Sequence, residues 1–169
     1  MFYIREVFSV QEQVSLIETF NEWGQAVDVK SKICSFQEKQ IVEDHTNITK
    51  TFKDYLAVSF SGSDRRIFVC NGPSGLVQAA SSVEEDGDYL NLKFLIANPS
   101  CMRSGAGRAV VETLFQECLR QNKKGVVTMS MISSVPFYQK MGFKGLVGFS
   151  EEEGGYMRIT AEKIQLKKF

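Results

Sequence analysis

The sequence predicts a single α/β (α+β) domain spanning residues 1–169, on three observations. Windows of helical periodicity interleave with windows of strand-like alternation along the chain. A chain of 169 residues with 43% hydrophobic and 24% charged residues and three prolines has the size and make-up of one packed unit. It is too short for separate cofactor and substrate lobes and too apolar for a disordered polymer. No period of about 20–50 residues repeats, which excludes a solenoid.

Residues 2–8 (FYIREVF) read as a short strand. Ser9 with Glu12 three residues on is a capping box that opens a helix, and Val14, Leu16, Ile17, Phe20 and Trp23 recur along it at helical intervals, with Gly24 as the expected stop. Residues 31–57 are polar and poorly periodic, and are expected to form one or two short helices with loops. Ile67–Cys70, the turn cluster Asn71–Gly75 and the returning run Leu76–Val83 make a hairpin. A second turn, Glu84–Asp88, leads into Tyr89–Ala97, which alternates and then becomes continuously apolar, as in a strand buried on both faces, until Pro99 ends it. Gly105–Asn122 carries Val111, Leu114, Phe115 and Cys118 along one side of an amphipathic helix, stopped by Lys123-Lys124-Gly125. The strand Val126–Ile132 follows. Pro136 suits the first turn of a helix that runs through Met141 to Gly142, and a last hairpin folds Phe143–Phe149 onto Tyr156–Ile164 across Glu153-Gly154-Gly155.

Charge and cysteine content narrow the function. Twenty basic and twenty acidic residues give no net charge, which argues against a protein that grips nucleic acid through its phosphates. Residues 1–84 hold 8 basic and 11 acidic residues, whereas residues 85–169 hold 12 and 9, so an anionic ligand is better placed on the second half. Glu6 interrupts the N-terminal stretch, and no apolar run reaches the roughly 20 residues a membrane span needs. A cytoplasmic protein with no membrane partner, existing as a monomer or homodimer, is expected. Cys34, Cys70, Cys101 and Cys118 lie 36, 31 and 17 residues apart, a spacing that fits neither a zinc knuckle nor a redox pair and leaves reduced thiols and no metal as the expectation. His45, the one histidine, is expected in a structural or surface role, and the acidic tips Glu85, Asp86, Asp88 and Glu151–Glu153 as solvated turns.

Chemistry concentrates in residues 94–109, FLIANPSCMRSGAGRA, where a buried strand breaks at Pro99 and a glycine-bearing loop delivers the chain to a helix N-terminus. Gly105 and Gly107 let backbone N–H groups converge, the helix start adds about half a positive charge, and Arg103 and Arg108 flank it, so a pyrophosphate is the natural guest. Two glycines that merely pack a helix against a strand would look alike. Downstream, at residues 134–145, stands SVPFYQKMGFKG.

Together these two stretches resemble the GNAT superfamily of acetyl-coenzyme A dependent N-acyltransferases. In that family a strand ending in proline is followed by a loop of pattern Gln/Arg-x-x-Gly-x-Gly/Ala, and a Phe-Tyr-x-x-x-Gly-Phe element closes the site. The corresponding residues are Pro99, the loop Met102-Arg103-Ser104-Gly105-Ala106-Gly107, and Phe137-Tyr138-Gln139-Lys140-Met141-Gly142-Phe143. The chain departs from the pattern at Met102, where the family has Gln or Arg, and at Ser133, where it often has Asn.

The resemblance implies a central mixed, mostly antiparallel sheet of six to seven strands with helices on both faces. It also implies an N-acetyltransferase that uses acetyl-CoA as co-substrate, with direct attack of a small-molecule or peptide amine on the thioester. Backbone groups of Leu95, Ile96 and Ala97 would hold the pantetheine arm; Met102, Arg103, Ser104, Gly105, Ala106, Gly107 and Arg108 would hold the phosphates; Ser133 would add a contact; and Tyr138 would protonate the departing thiolate. Family members often use a glutamate on the strand matching Tyr89–Ala97, but this stretch has no carboxylate, so no general base is assigned. A catalytically silent CoA-binding or protein-interaction module on the same fold is the alternative.

Overall fold

The computed structural model describes residues 1–31, 36–58 and 65–168. Seven strands, β1 (Tyr3–Val7), β2 (Arg65–Asn71), β3 (Val77–Asp86), β4 (Tyr89–Ala97), β5 (Gly125–Ser130), β6 (Lys144–Gly145) and β7 (Gly155–Thr160), form one sheet in the order β1-β2-β3-β4-β5-β7-β6. Every neighbouring pair is antiparallel except β4–β5, which is parallel. Helices α1 (Val10–Ser31) and α2 (Phe36–Val58) cover one face; α3 (Ala106–Arg120), α4 (Val135–Lys140) and α5 (Ala161–Gln165) lie on the other. The mixed sheet with helices on both faces is the expected one.

The start of α1 is the reciprocal cap that the Ser9/Glu12 spacing calls for: the Glu12 amide donates to Ser9 Oγ at 3.2 Å, and the Ser9 amide donates to the Glu12 carboxylate at 3.3 Å. The helix does not stop at Gly24 but runs seven residues further to Ser31. Trp23 and Val27, both buried, continue the stripe begun by Leu16 and Phe20, and their burial outweighs the roughly 1 kcal/mol that glycine costs inside a helix. The segment expected as short helices and loops contains instead the 23-residue α2. Ile48, Phe52, Tyr55 and Leu56 on α2 pack against α1 and against Ile67, Val69, Ala80, Phe94 and Ile96 of the sheet.

Phe52 is the hub of this layer, fully buried, stacked on Phe94 at 4.8 Å between ring centroids and tilted against Phe20 at 5.1 Å. Phe52→Ala is expected to cost about 3–5 kcal/mol of stability, measured by urea unfolding, because the rigid rings around it cannot close the void. A loss under about 1 kcal/mol would contradict this packing.

On the opposite face Val111, Leu114, Phe115 and Cys118 of α3 sit on Leu90, Leu92, Val126, Met157 and Ile159. The last hairpin is shorter than expected: β7 ends at Thr160, and Ile164, expected in a strand, is a fully buried residue of α5. The strand expected over Val126–Ile132 ends at Ser130, and Ile132 opens a 3-10 turn (Ile132–Ser134) that leads into α4. No helix among the described residues is long and apolar enough to cross a membrane.

The feature that shapes everything functional lies in the middle of the sheet. Pairing between β4 and β5 runs from Tyr89↔Gly125 to Leu92↔Thr128 and ends there. At the same level the β3–β4 ladder slips by one residue, because Val83 faces Leu92 while Ser82 faces Phe94, which leaves Lys93 as an extra residue, a bulge. Beyond it β4 stays with β3 and β5 stays with β7, so the two parallel strands part like a fork.

Candidate active site

The fork turns strand chemistry into a ligand edge. The Asn98 amide donates to Gln78 O at 2.8 Å, on the β3 side, so strand alternation turns the Ala97 and Leu95 backbone groups the other way, into the fork. Ile96 differs from its two neighbours: its backbone groups point to β3, and its side chain, 3% exposed, belongs to the core under α1 and α2. Leu95 and Ala97 line the cleft that opens from the fork, and Ile96 does not.

Two buried side chains of α2 reach that fork. His45 Nε2 lies 2.8 Å from Ala97 O, and Asp44 Oδ2 accepts the Ser133 amide at 3.0 Å. A carbonyl oxygen only accepts, so Nε2 carries the proton, and Nδ1 is left to accept from the Thr49 hydroxyl at 3.2 Å. The lone histidine, for which a structural or surface role is expected, is buried rather than on the surface, and it bonds a backbone group of the fork.

At the other end of the cleft the chain passes from Pro99 through a 3-10 turn (Pro99–Cys101) to α3. Gly105 is the N-cap, with φ +95°, and Arg103 also holds a positive φ of 66°. The first amides of a helix have no carbonyl partner within it, and here they face a cleft of about 690 Å3 lined by Met102, Arg103, Ser104, Gly105, Ala106, Gly107 and Arg108. Arg108 is paired with Glu112 at 2.7 Å. Arg103, Lys140, Lys167 and Lys168 line the same cleft with no carboxylate partner among the described residues, so it carries a clear excess of positive charge within a neutral chain. The donor set, helix-start amides plus uncompensated cations, fits a polyphosphate.

Tyr138, on α4, lines the cleft and is 5% exposed. Its ring sits edge-on to Phe137 and Phe143, with centroids 5.1 and 5.3 Å away. Burial pushes its phenol up to about 12, against a smaller lowering influence of the nearby Thr128 hydroxyl. The phenol thus keeps its proton throughout neutral pH. Thr128 donates to Leu92 O at 3.0 Å on the last paired rung of the fork. Ser133 lines the cleft beside it, its amide engaged by Asp44.

One cleft thus brings together Leu95, Ala97, the loop 102–108, Ser133 and Tyr138. Sequence reasoning missed Ile41, Lys167 and Lys168, which line the cleft, and Asp44, which holds Ser133 from behind it; it gave His45 a structural or surface role without the bond to Ala97. The Lys167 chain lies 3.1 Å from the position a Cβ on Gly142 would take. The signal on α2 was the i, i+4 run Ile41, His45, Thr49, masked because two of the three are polar. Burial raises the Cys70 thiol to about 11 and raises that of Cys118 as well; Cys101 is partly exposed, and Cys34 lies outside the described residues.

Comparison with known proteins points the same way. A family model described as the acetyltransferase (GNAT) domain matches residues 35–161. No curated protein matches the chain. Among solved structures, the chain is similar to a PaiA N-acetyltransferase from Thermoplasma acidophilum in complex with coenzyme A (TM-score 0.63, 15% identity, covering 95% of this chain and 99% of that one). It is also similar to the ribosomal-protein-S18-alanine N-acetyltransferase from Escherichia coli (TM-score 0.61, 13% identity, covering 95% and 94%) and to an acetyltransferase of the GNAT family from Staphylococcus aureus (TM-score 0.59, 13% identity, covering 95% and 99%).

Proposed function

The chain belongs to the GNAT acetyltransferase family, and from that premise we propose that residues 1–169 form one domain acting as an N-acetyltransferase on a small-molecule or peptide amine, with acetyl-CoA as donor. The observation that carries this reading is a single cleft joining a cationic helix start to a buried phenol by way of an open strand edge. Acetyl-CoA supplies the acetyl group as a thioester activated toward amines. The amides of the loop 102–108 and of the first turn of α3 that are not spent within the loop, as those of Ser104 on Cys101 O and Ala106 on Ser104 Oγ are, hold the pyrophosphate, aided by Arg103 and Arg108; Met102 adds backbone only. Leu95 and Ala97 present backbone groups to the pantetheine arm, as a strand edge pairs with an added strand, and an amide there polarises the thioester carbonyl. Ser133 adds a contact beside the arm. Tyr138 gives its proton to the departing thiolate sulfur, a task for a group that stays neutral far above pH 7. The thiols of Cys70, Cys101 and Cys118, unpaired among the described residues, suit a reducing, cytoplasmic setting.

A second reading, a module that binds the coenzyme without turnover, is favoured by one observation. The one carboxylate that lines the cleft among the described residues, and the carboxylate and imidazole behind it on α2, are already engaged: Glu112 by Arg108, Asp44 by Ser133 and Gln40, His45 by Ala97 and Thr49. The amine arrives in its neutral form or passes its proton to water.

Both readings expect acetyl-CoA at about 100 times its Kd to stabilise the fold by about 2.7 kcal/mol in a thermal melt. Only the enzyme is expected to release free thiol from acetyl-CoA across a panel of amines and peptides. Stabilisation without thiol release selects the silent module, and the absence of both removes the coenzyme from the account.

A further inference from the structure

The two consecutive side chains of α2 that enter the fork bond to different arms of it. His45 holds β4 through the Ala97 carbonyl, and Asp44 holds the turn that follows β5 through the Ser133 amide. Both are buried, at 8% and 6% exposure, as is Thr49 behind the imidazole, and Gln40 Nε2 fixes the second carboxylate oxygen at 2.8 Å. A carboxylate and an imidazole are costly to bury, and are kept inside a protein when they satisfy groups that would otherwise be stranded. Here one of the groups satisfied belongs to β4 and the other to the turn that follows β5, beyond the point where the two strands stop pairing, and α2 spans the gap between them.

We propose that Asp44 and His45 are positioning residues that fix the separation of the β4–β5 fork at the width of a pantetheine arm, using the buried bonds from α2 to Ala97 and Ser133. The inference rests on the coenzyme reading above and deepens it. A slot of fixed width has little left to order when a flexible amide chain enters, so affinity for that chain depends on the two ties. With its carbonyl taken by His45, Ala97 has only its amide to offer the arm, while Leu95 offers both groups. The phosphate end, built on α3, does not depend on either tie.

Calorimetry with two probes separates these ends. Coenzyme A reports the phosphate end and the arm; adenosine 3′,5′-bisphosphate, which has no pantetheine, reports the phosphate end alone. His45→Leu and Asp44→Ala are expected to weaken coenzyme A by about tenfold or more while the bisphosphate stays within about twofold. His45→Gln, whose amide reaches as far as Nε2, and Asp44→Asn, which keeps an acceptor oxygen, are expected to recover most of the loss. Should His45→Leu not fold, His45→Asn, polar but too short to reach Ala97, gives the same ratio. Equal losses for both probes would mean the pair only stabilises the fold, and unchanged coenzyme affinity in folded variants would likewise overturn the proposal. If the unaltered protein binds neither probe, the coenzyme reading fails first and takes this one with it.

Discussion

Tyr138→Phe is expected to lower turnover by about 10²–10⁴-fold while coenzyme affinity stays within about threefold. The ring is wedged between Phe137 and Phe143, so phenylalanine keeps the packing and removes only the hydroxyl. What is lost is the proton for the sulfur, an interaction absent from the bound ground state, and such a loss falls on kcat with KM spared. The pH profile carries the same signature. Burial raises the phenol to about 12, so the donor remains protonated past the ordinary tyrosine range, and the rate of the unaltered protein is not expected to fall from loss of this proton below about pH 10. The same shift lowers stability at high pH: tyrosines of the unfolded chain ionise from about pH 10 while Tyr138 stays neutral in the fold, so folding weakens progressively between there and about pH 12. Thiol release and calorimetry on the two proteins check the kinetic claim, and an unchanged rate would strip Tyr138 of its role.

Gly105→Val is expected to reduce coenzyme A affinity by about 100-fold or more. The residue caps α3 at φ +95°, a conformation that a β-branched side chain resists at a cost of about 1–3 kcal/mol. A Cβ there meets the Phe2 ring at 3.5 Å, so crowding within the protein is slight, and the expected loss comes from the strained backbone, which turns the loop and helix-start amides away from the geometry that a phosphate needs. Gly75, at φ +81° with nothing within 4 Å of its added Cβ, is the control: Gly75→Val carries comparable backbone strain on the β2–β3 turn without touching the cleft. Calorimetry on both is expected to show binding lost in the first and kept in the second. Full binding by a folded Gly105→Val protein would contradict the cradle.

The parts of the molecule that were legible in the sequence are those where local chemistry and tertiary role agree. Tyr89–Ala97 is bounded by an acidic turn and a proline, and its limits were read to the residue. The loop before α3 announces itself through glycines whose conformation, at Gly105, the fold requires. Where the two disagree, the pattern misled. α2 looks aperiodic because the polar His45 and Thr49 occupy buried positions and bond to each other, so its inward face does not read as apolar. Gly24 has the local propensity of a helix stop, but the burial of Trp23 and Val27 outweighs it. The lysines at 167 and 168 gave no sign of their role because it arises only when α5 folds back on the cleft.

The extra residue at Lys93 governs more than the local ladder. Leu90 and Leu92 belong to the core under α3, so even-numbered residues face that side as β4 begins; past the bulge the parity reverses, and the odd-numbered Leu95 and Ala97 line the cleft while Phe94 and Ile96 go to the opposite layer. One residue thus acts as a phase shifter for the strand, and the register of the donor edge is written in the length of β4 as much as in its composition. A substitution along this edge changes one side chain, whereas deletion of the single residue Lys93 would send each of those beyond it to the wrong side at once.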